Sequence, residues 1–500
     1  MSRVAHFFGR SAATLICVAG VPALVVTLVR WLFDVRISAF RPLLNDEVTF
    51  WHQALTFSRA GFHGGYYTLG EVTNPSGFTP FGLHGPGFPV LYGTIGALAG
   101  WQRHDVVVLN LIAISTAASI WVLLSRVSTP RLLLSGLLLV TFWPLPYWAP
   151  TAMQESLHHA GAILMASLFA YVLRAAPRTW IVVAGWIALS ALGFIRPSWL
   201  TLMPLWALAT SRERDRPAMI ATVAGSVLLS LLIVVAFSRT TAPTKSFFFV
   251  SVSDLAPAAQ LVWANLRFNV QRTFMPAEYA PLEVLHRVQY WSWLGVAGLT
   301  GAVIAWRARR SQAGLTLHLP IAVVAMSIVV VLMFFFYTLT NWAEHRILSA
   351  FLLFGALLCC AAPGRTPVLL AVALIASNLA SAGVFLNGFE TSRRDQFIWD
   401  RRGIYELQDA LEGHVVYRPG QPRWCNTLLT AQYPPHLVAV PAGIGISVVR
   451  EPDLVALPLR SHYLLLDAPS LAEFKAPLHT RPLATLPYGT LYENLDSQCK

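Results

Sequence analysis

Apolar runs, most of them near the length that crosses a bilayer, recur from the start of the chain to beyond residue 380, and they leave few folds open. They lie at about 11–33, 105–125, 132–149, 157–174, 179–195, 198–210, 218–237, 291–306, 318–339, 345–362 and 366–386. A hydrocarbon core of about 30 Å takes about 20 helical residues to cross, and only helices or closed barrels satisfy their own backbone in lipid. Composition agrees: 55% of residues are hydrophobic and 12% charged, against about 25% charged in a soluble domain. The sequence predicts a polytopic α-helical membrane protein with about eleven spans in residues 1–386. A small α/β domain is expected to follow at 387–500.

Charge sets the expected orientation. Arg126/Arg131, Arg174/Arg178, Arg212/Arg214/Arg216 and Arg307/Arg309/Arg310 cluster in alternate loops, whereas 150–157, 194–198, 238–290 and 340–346 lack such clusters. Arginine-rich loops stay cytoplasmic, so Arg3 and Arg10 put the N-terminus inside. The C-terminal domain then lies outside a bacterial-type cytoplasmic (inner) membrane. The net charge of +12 is explained by this topology, and nucleic acid is not an expected partner. The basic start MSRVAHFFGR and the run at 11–33 read as a retained signal anchor.

The segment Pro86–Trp101 is also apolar, yet if it crossed, every later basic loop would face outward. It is expected to be re-entrant or interfacial within an outer loop at 34–104. The alternative is that it crosses and another span is miscounted. A second outer loop is expected at 238–290. There Val262, Leu266, Val270 and Phe274 recur every fourth residue, as in a helix lying in the headgroup layer among membrane lipids.

Ionisable groups gather at the outer ends of these runs. Asp46 and Glu47 open the sequence NDEVTFWHQALTF. A carboxylate just outside the bilayer can take a proton from an acceptor hydroxyl or amine. The same pair would also suit a helix start, where it caps the backbone and complements the dipole. Glu155, with His158 and His159, sits in the next outer loop, and it too could be a helix N-terminal charge. Arg196 and Arg346 stand outside the cytoplasmic clusters. They suit a lipid phosphate, or else an ion pair with Glu155 or Glu344.

His52, His63, His84, His158 and His159 lie near these acids without a diagnostic ligand spacing. No metal ligand is assigned, and a divalent metal stays open. With no P-loop, nucleotide fingerprint or GxSxG motif, a direct ATP- or NAD-dependent reaction has no support. A lipid or solute transporter or flippase is the competing class; it would place ionisable groups near mid-bilayer, often in two related halves.

Beyond residue 387, HVVY at 414–417, HLVAV at 436–440 and HYLLLD at 462–467 read as strands. Ile404, Leu407 and Leu411 mark one short amphipathic helix. Cys425 and Cys499 could pair in an oxidising compartment. Cys17, Cys359 and Cys360 fall in apolar runs and read as small buried hydrophobes.

The order of these features resembles the GT-C class of membrane glycosyltransferases, which includes protein O-mannosyltransferases and lipid A aminoarabinose transferases. The residues that carry the likeness are Asp46-Glu47 ahead of Phe50 and Trp51, the stretch HGPGFPVLYGTIGALAG, and Glu155 in APTAMQES. Arg196-Pro197 and the span-opening Arg346 complete it. His84-Gly85-Pro86 stands where relatives often have His-Pro-Pro or Lys-Pro, and Glu155 where the second acid is usually Asp.

The resemblance implies transfer of a hexose or pentose from a polyprenyl-phosphate donor to a lipid, glycan or protein acceptor on the extracytoplasmic side. It implies Asp46 as general base, with Glu47 the runner-up, and Glu155 orienting acceptor or sugar. Arg196 and Arg346 would hold the donor phosphate, with His84 and Arg272 as further candidates. The C-terminal domain carries no motif of that class.

Overall fold

The computed structural model describes residues 3–43, 45–64, 67–69, 81–82, 84–174, 178–211, 215–241, 255–274, 317–318, 320–327, 345–431, 435–449, 459–474, 477–486 and 488–499. Its helices, in chain order, begin with α1 (Arg3–Phe33), α2 (Asn45–Ala60), α3 (Gly87–Ala99), α4 (Asp105–Leu124) and α5 (Thr129–Thr141). Next come α6 (Pro144–Trp148), α7 (Glu155–Arg174), α8 (Thr179–Ile195), α9 (Met203–Ser211), α10 (Arg216–Thr240) and α11 (Leu255–Phe274). The last large ones are α12 (His345–Ala361), α13 (Thr366–Ala380), α14 (Ala382–Phe397) and α15 (Arg401–Glu412).

Among the described residues, four helices are long and apolar enough to cross a membrane: α1 from Phe8 onward, α4, α7 and α10. The pair α13–α14, bent by 55°, makes a fifth if it is one broken span. Helices α3, α5 and α8 are apolar but shorter, as is the Ser349–Ala361 part of α12. The run expected at 198–210 is divided, because Pro197 opens a 3-10 turn (Pro197–Leu202) and α9 adds only 9 residues. The run expected at 291–306 and most of 318–339 lie outside the described residues. Helix α3 has 13 residues, about 20 Å of rise, which is short of the hydrocarbon thickness. It packs along α2.

Helix α7 is the centre of the bundle, with 94% of its most apolar stretch buried against α4, α8 and α12. Its start therefore carries Glu155, His158 and His159 into protein rather than into water. Helix α11 forms as expected, with a difference in what it buries. Asn265 and Asn269 face inward, and Trp263, Phe268 and Val270 face outward. Gln260, Arg267 and Gln271 are exposed on it as well, so its outward side is mixed rather than apolar.

The C-terminal region contains a six-stranded sheet. Its strands are β1 (Tyr67–Leu69), β2 (Thr427–Thr430), β3 (Gly445–Val448), β4 (Tyr463–Leu466), β5 (Thr480–Leu486) and β6 (Gly489–Asn494). The order is β1-β3-β2-β4-β6-β5. The first four neighbours are parallel, and β6 and β5 close the far edge antiparallel. Strand β1 comes from the segment between α2 and α3 and pairs with β3, Tyr67 opposite Ile446, so the sheet is not confined to residues after 387.

Of the three strand-like runs in the sequence, only HYLLLD forms one, as β4. The HVVY run does not, because the His414 and Val415 N–H groups cap the end of α15 by donating to Leu411 O. The HLVAV run, between Pro435 and Pro441, becomes the 3-10 turn Pro435–Ala439; proline removes the ladder donors a strand would need. Helix α15 buries Ile404, Leu407 and Leu411 as its spacing predicts. Cys425 and Cys499 form a disulfide with a Cα–Cα distance of 5.5 Å, and Cys17, Cys359 and Cys360 are buried thiols.

Candidate active site

Glu155 is the buried anchor of the site, its side chain 2% exposed. It begins α7, where a negative charge complements the helix dipole. Arg196 ends α8 and reaches back with Nη2 3.1 Å from Glu155 Oε1. Arg346, in the first turn of α12, places Nε 3.9 Å from the same oxygen. Its Nη2 lies 3.4 Å from Asp46 Oδ2, so one guanidinium bridges both acids. The second carboxylate oxygen of Glu155 is buried with no hydrogen-bond partner among the described residues. A buried acceptor left unmet costs about 1–3 kcal/mol, a cost that a bound group could relieve.

Asp46 differs in exposure. It sits in the first turn of α2 with 38% of its side chain accessible, and His84 Nε2 approaches its Oδ1 at 3.9 Å. His84 is fixed by the glycines and proline that follow it. Gly85 adopts a left-handed φ of +80° and leaves no room for a side chain beside Phe237 of α10. At Gly87 an added Cβ would lie 2.5 Å from Ile195 Cγ1 and 2.8 Å from its backbone N. The HGPG sequence thus lets the start of α3 press against the end of α8, one residue before Arg196. Gln154 Nε2 donates to His84 O at 3.3 Å, and the Phe50 ring packs edge-on to the imidazole at 4.6 Å. Desolvation lowers the His84 pKa; Arg196 and Arg346 add to this, while Asp46 and Glu155 oppose it.

Glu47 points elsewhere. It is fully buried and reaches back to Leu43 N–H at 2.9 Å, in the manner of a capping box. It also accepts from Ala152 N–H at 2.9 Å and from Gln396 Nε2. Arg393 Nη1 donates to Gln396 Oε1 at 3.3 Å, which obliges the amide to turn its NH₂ toward Glu47. Arg393 is itself buried, with its guanidinium 4.3 Å from the Tyr147 ring centre. Glu47 therefore ties α2 to the loop before α7 and to α14.

The flanking histidines are structural in their contacts. Trp199 Nε1 donates to His158 Nδ1 at 2.9 Å, and His159 Nε2 meets Ser349 Oγ at 2.8 Å. Because Ser349 Oγ donates to Arg346 O at 3.0 Å, His159 braces the turn that carries Arg346. The Arg272 side chain and Glu344 lie outside the described residues. Among the described residues, no three His, Cys, Asp or Glu side chains gather as a metal site.

The structure thus brings Asp46, His84, Glu155, Arg196 and Arg346 together and turns Glu47 away. Sequence reasoning missed Gln154, Ser349, Arg393 and Gln396. The pair Arg393 and Gln396, three apart in an otherwise charged stretch, was the one readable hint of an inward polar face.

No protein-family model matches the chain, and no curated protein matches it. Among solved structures, it is similar to the crystal structure of the Archaeoglobus fulgidus oligosaccharyltransferase in complex with Zn and sulfate. The TM-score is 0.49 and the identity 12%, over 97% of this chain and 73% of that one. A likeness of that size leaves fold and activity to be argued from this chain's own residues.

Proposed function

We propose that the protein is a membrane glycosyltransferase of the GT-C type, moving a sugar from a polyprenyl-phosphate donor to an acceptor hydroxyl or amine outside the cytoplasmic membrane. One observation carries the reading. Two guanidiniums and two carboxylates converge on one point, one acid accessible and the other buried with an unmet oxygen. Asp46, the accessible acid, takes the proton from the acceptor. The acceptor atom forms the new bond to the sugar's anomeric carbon as the bond from that carbon to the phosphate oxygen breaks. The phosphate leaves with the electron pair.

Arg196 and Arg346 hold that phosphate and are themselves held by Glu155. Preorganised cations of this kind stabilise charge as it develops, without reorganisation at the moment of reaction. An imidazole N–H of His84 can donate a hydrogen bond to the same group. Arg272 remains a candidate for the phosphate from the second outer loop. Glu47 positions α2 rather than reacting. The Cys425–Cys499 disulfide supports an oxidising, extracytoplasmic location for the C-terminal region.

The test is transfer from defined polyprenyl-phosphate hexoses and pentoses in vesicles carrying the full-length protein. Asp46→Asn should lower transfer by about 10²–10⁴-fold, the range for a general base, and Arg346→Gln should lower it without abolishing folding. A folded Asp46→Asn protein with full transfer excludes Asp46 as the base. Movement of the lipid without any transfer would favour the transporter reading.

A further inference from the structure

A second site lies apart from the acids and guanidiniums above. Between the first outer segment and the C-terminal sheet is a cleft of about 330 Å³, lined chiefly by His63, Tyr417, Gln421, Arg423, Trp424 and Asn426. That volume is at the small end of ligand pockets, ~300–1,000 Å³. His63 and Gln421 are exposed at its rim, and Asn426 is buried.

The walls are held from several directions. The Asn426 side chain accepts from Arg418 N–H at 2.7 Å and donates to Arg418 O at 2.9 Å. This fixes the turn into Gly420, whose φ is +79°. Next to Asn426, Cys425 is bonded to Cys499. Arg423 Nε donates to Gly64 O at 3.2 Å and so ties the C-terminal wall to the segment bearing His63. A cleft fixed this way needs little ordering when it binds.

Its chemistry is one-sided. Both aromatic walls are backed by guanidiniums, Arg59 at 5.9 Å from the Tyr417 ring centre and Arg460 at 6.0 Å from that of Trp424. Arg423 lines the cleft itself, and among the described residues no acid lines it. Aromatic rings offer flat apolar faces to the C–H face of a sugar ring, with polar groups at their edges. Asn, Gln and His serve hydroxyls, and a planar guanidinium fork suits a carboxylate or phosphate.

We infer that this cleft binds an anionic saccharide, a sugar bearing a carboxylate or a phosphate. The inference goes beyond the transferase reading and is tested by binding alone, so either can fail without the other.

The experiment is calorimetric titration of the full-length protein in detergent with galacturonic acid, glucose 1-phosphate, galactose and inorganic phosphate. The two anionic sugars should bind saturably, about tenfold or more tighter than galactose or inorganic phosphate. Which of the two binds better tells carboxylate from phosphate as the favoured anion. Arg423→Gln should weaken the anionic sugars about tenfold, the size of one charged hydrogen bond, and leave galactose unchanged. Because that change also removes the bond to Gly64, His63→Ala and Gln421→Ala serve as rim variants with exposed side chains, each expected to cost about threefold or more. Melting temperature and an intact disulfide check folding in every variant. Galactose binding as well as galacturonic acid, phosphate alone binding as well as either anionic sugar, no saturable binding, or indifference to the rim variants in folded protein would each overturn the inference.

Discussion

Replacing Glu155 by Gln and Asp46 by Asn should have opposite balances of effect on stability and chemistry. At an effective dielectric of about 20, unit charges separated as Arg196 and Glu155 are attract by about 5 kcal/mol before desolvation is subtracted. Breaking a wholly buried pair costs about 3–5 kcal/mol net. Here the arginines keep 23% and 25% of their side-chain surface, and Gln retains an acceptor, so about 2–3 kcal/mol is expected. Asp46 is 38% exposed and 3.4 Å from Arg346, which places its pair in the surface class, about 0–1 kcal/mol.

With an unfolding entropy of about 2 cal/mol/K per residue over 500 residues, Glu155→Gln should lower the melting temperature by about 2–3 °C. Asp46→Asn should lower it by less than about 1 °C. A thiol-reactive fluorophore is the assay. Cys17, Cys359 and Cys360 are buried, while Cys425 and Cys499 are paired, so labelling reports opening of the helical bundle. Equal shifts from the two variants, or a larger one from Asp46→Asn, would refute the division between a holding acid and an accessible one.

Three further outcomes follow from the same packing. Gly87→Ala should destabilise by about 1–3 kcal/mol and reduce transfer, since its Cβ would meet Ile195 backbone 2.8 Å away; melting and vesicle assays read both. His52 is buried, and burial pushes its pKa down to about 4 from 6.5. Its folded value lies below its unfolded one, so stability is full above about pH 6.5 and falls toward pH 4, by about 1.4 kcal/mol per unit and about 3 in all. Melts followed by intrinsic fluorescence at pH 7.5 and 5.5 should show the drop, and His52→Gln should flatten it. Replacing Cys425 and Cys499 by Ser should cost the sheet about 4 kcal/mol, the loop-closure value for a separation of 74 residues, read as faster proteolysis of the C-terminal region.

How much of this was legible in the sequence depends on the range of the forces involved. Hydrophobic runs and helix periodicity are local, so α1, α4, α7, α10 and the buried stripe of α15 could be read directly. The meeting of Asp46, Glu155, Arg196 and Arg346 was suggested by each standing at the end of a run, a regular consequence of charges avoiding hydrocarbon. What stayed hidden depends on distant partners. Nothing near residue 67 announces a strand, because β1 exists only through its pairing with β3. HVVY has strand composition, yet its N–H groups are used to end α15. Glu47 looks equivalent to Asp46 until Gln396, more than three hundred residues away, is seen to claim it.

Helix α2 shows a different kind of hidden logic, and it yields a last prediction. Thr49, His52, Gln53 and Thr56 are all buried along it, together with Glu47. His52 Nε2 meets Val440 O at 3.2 Å, and Thr56 Oγ1 donates to Ile444 O at 3.2 Å, so one face fastens the helix to the C-terminal region. Gln53 is 1% exposed, and neither atom of its amide has a hydrogen-bond partner among the described residues. Burying an unmet amide costs about 1–3 kcal/mol. Gln53→Leu, of similar volume, should therefore raise stability by about 1–2 kcal/mol, whereas His52→Leu should lower it. If transfer falls while stability rises, the amide is held for the reacting ligand, since a group kept for binding is satisfied only when the ligand is present. If stability falls instead, the amide already has a partner such as a buried water, and the reasoning from unmet polar groups fails for this helix.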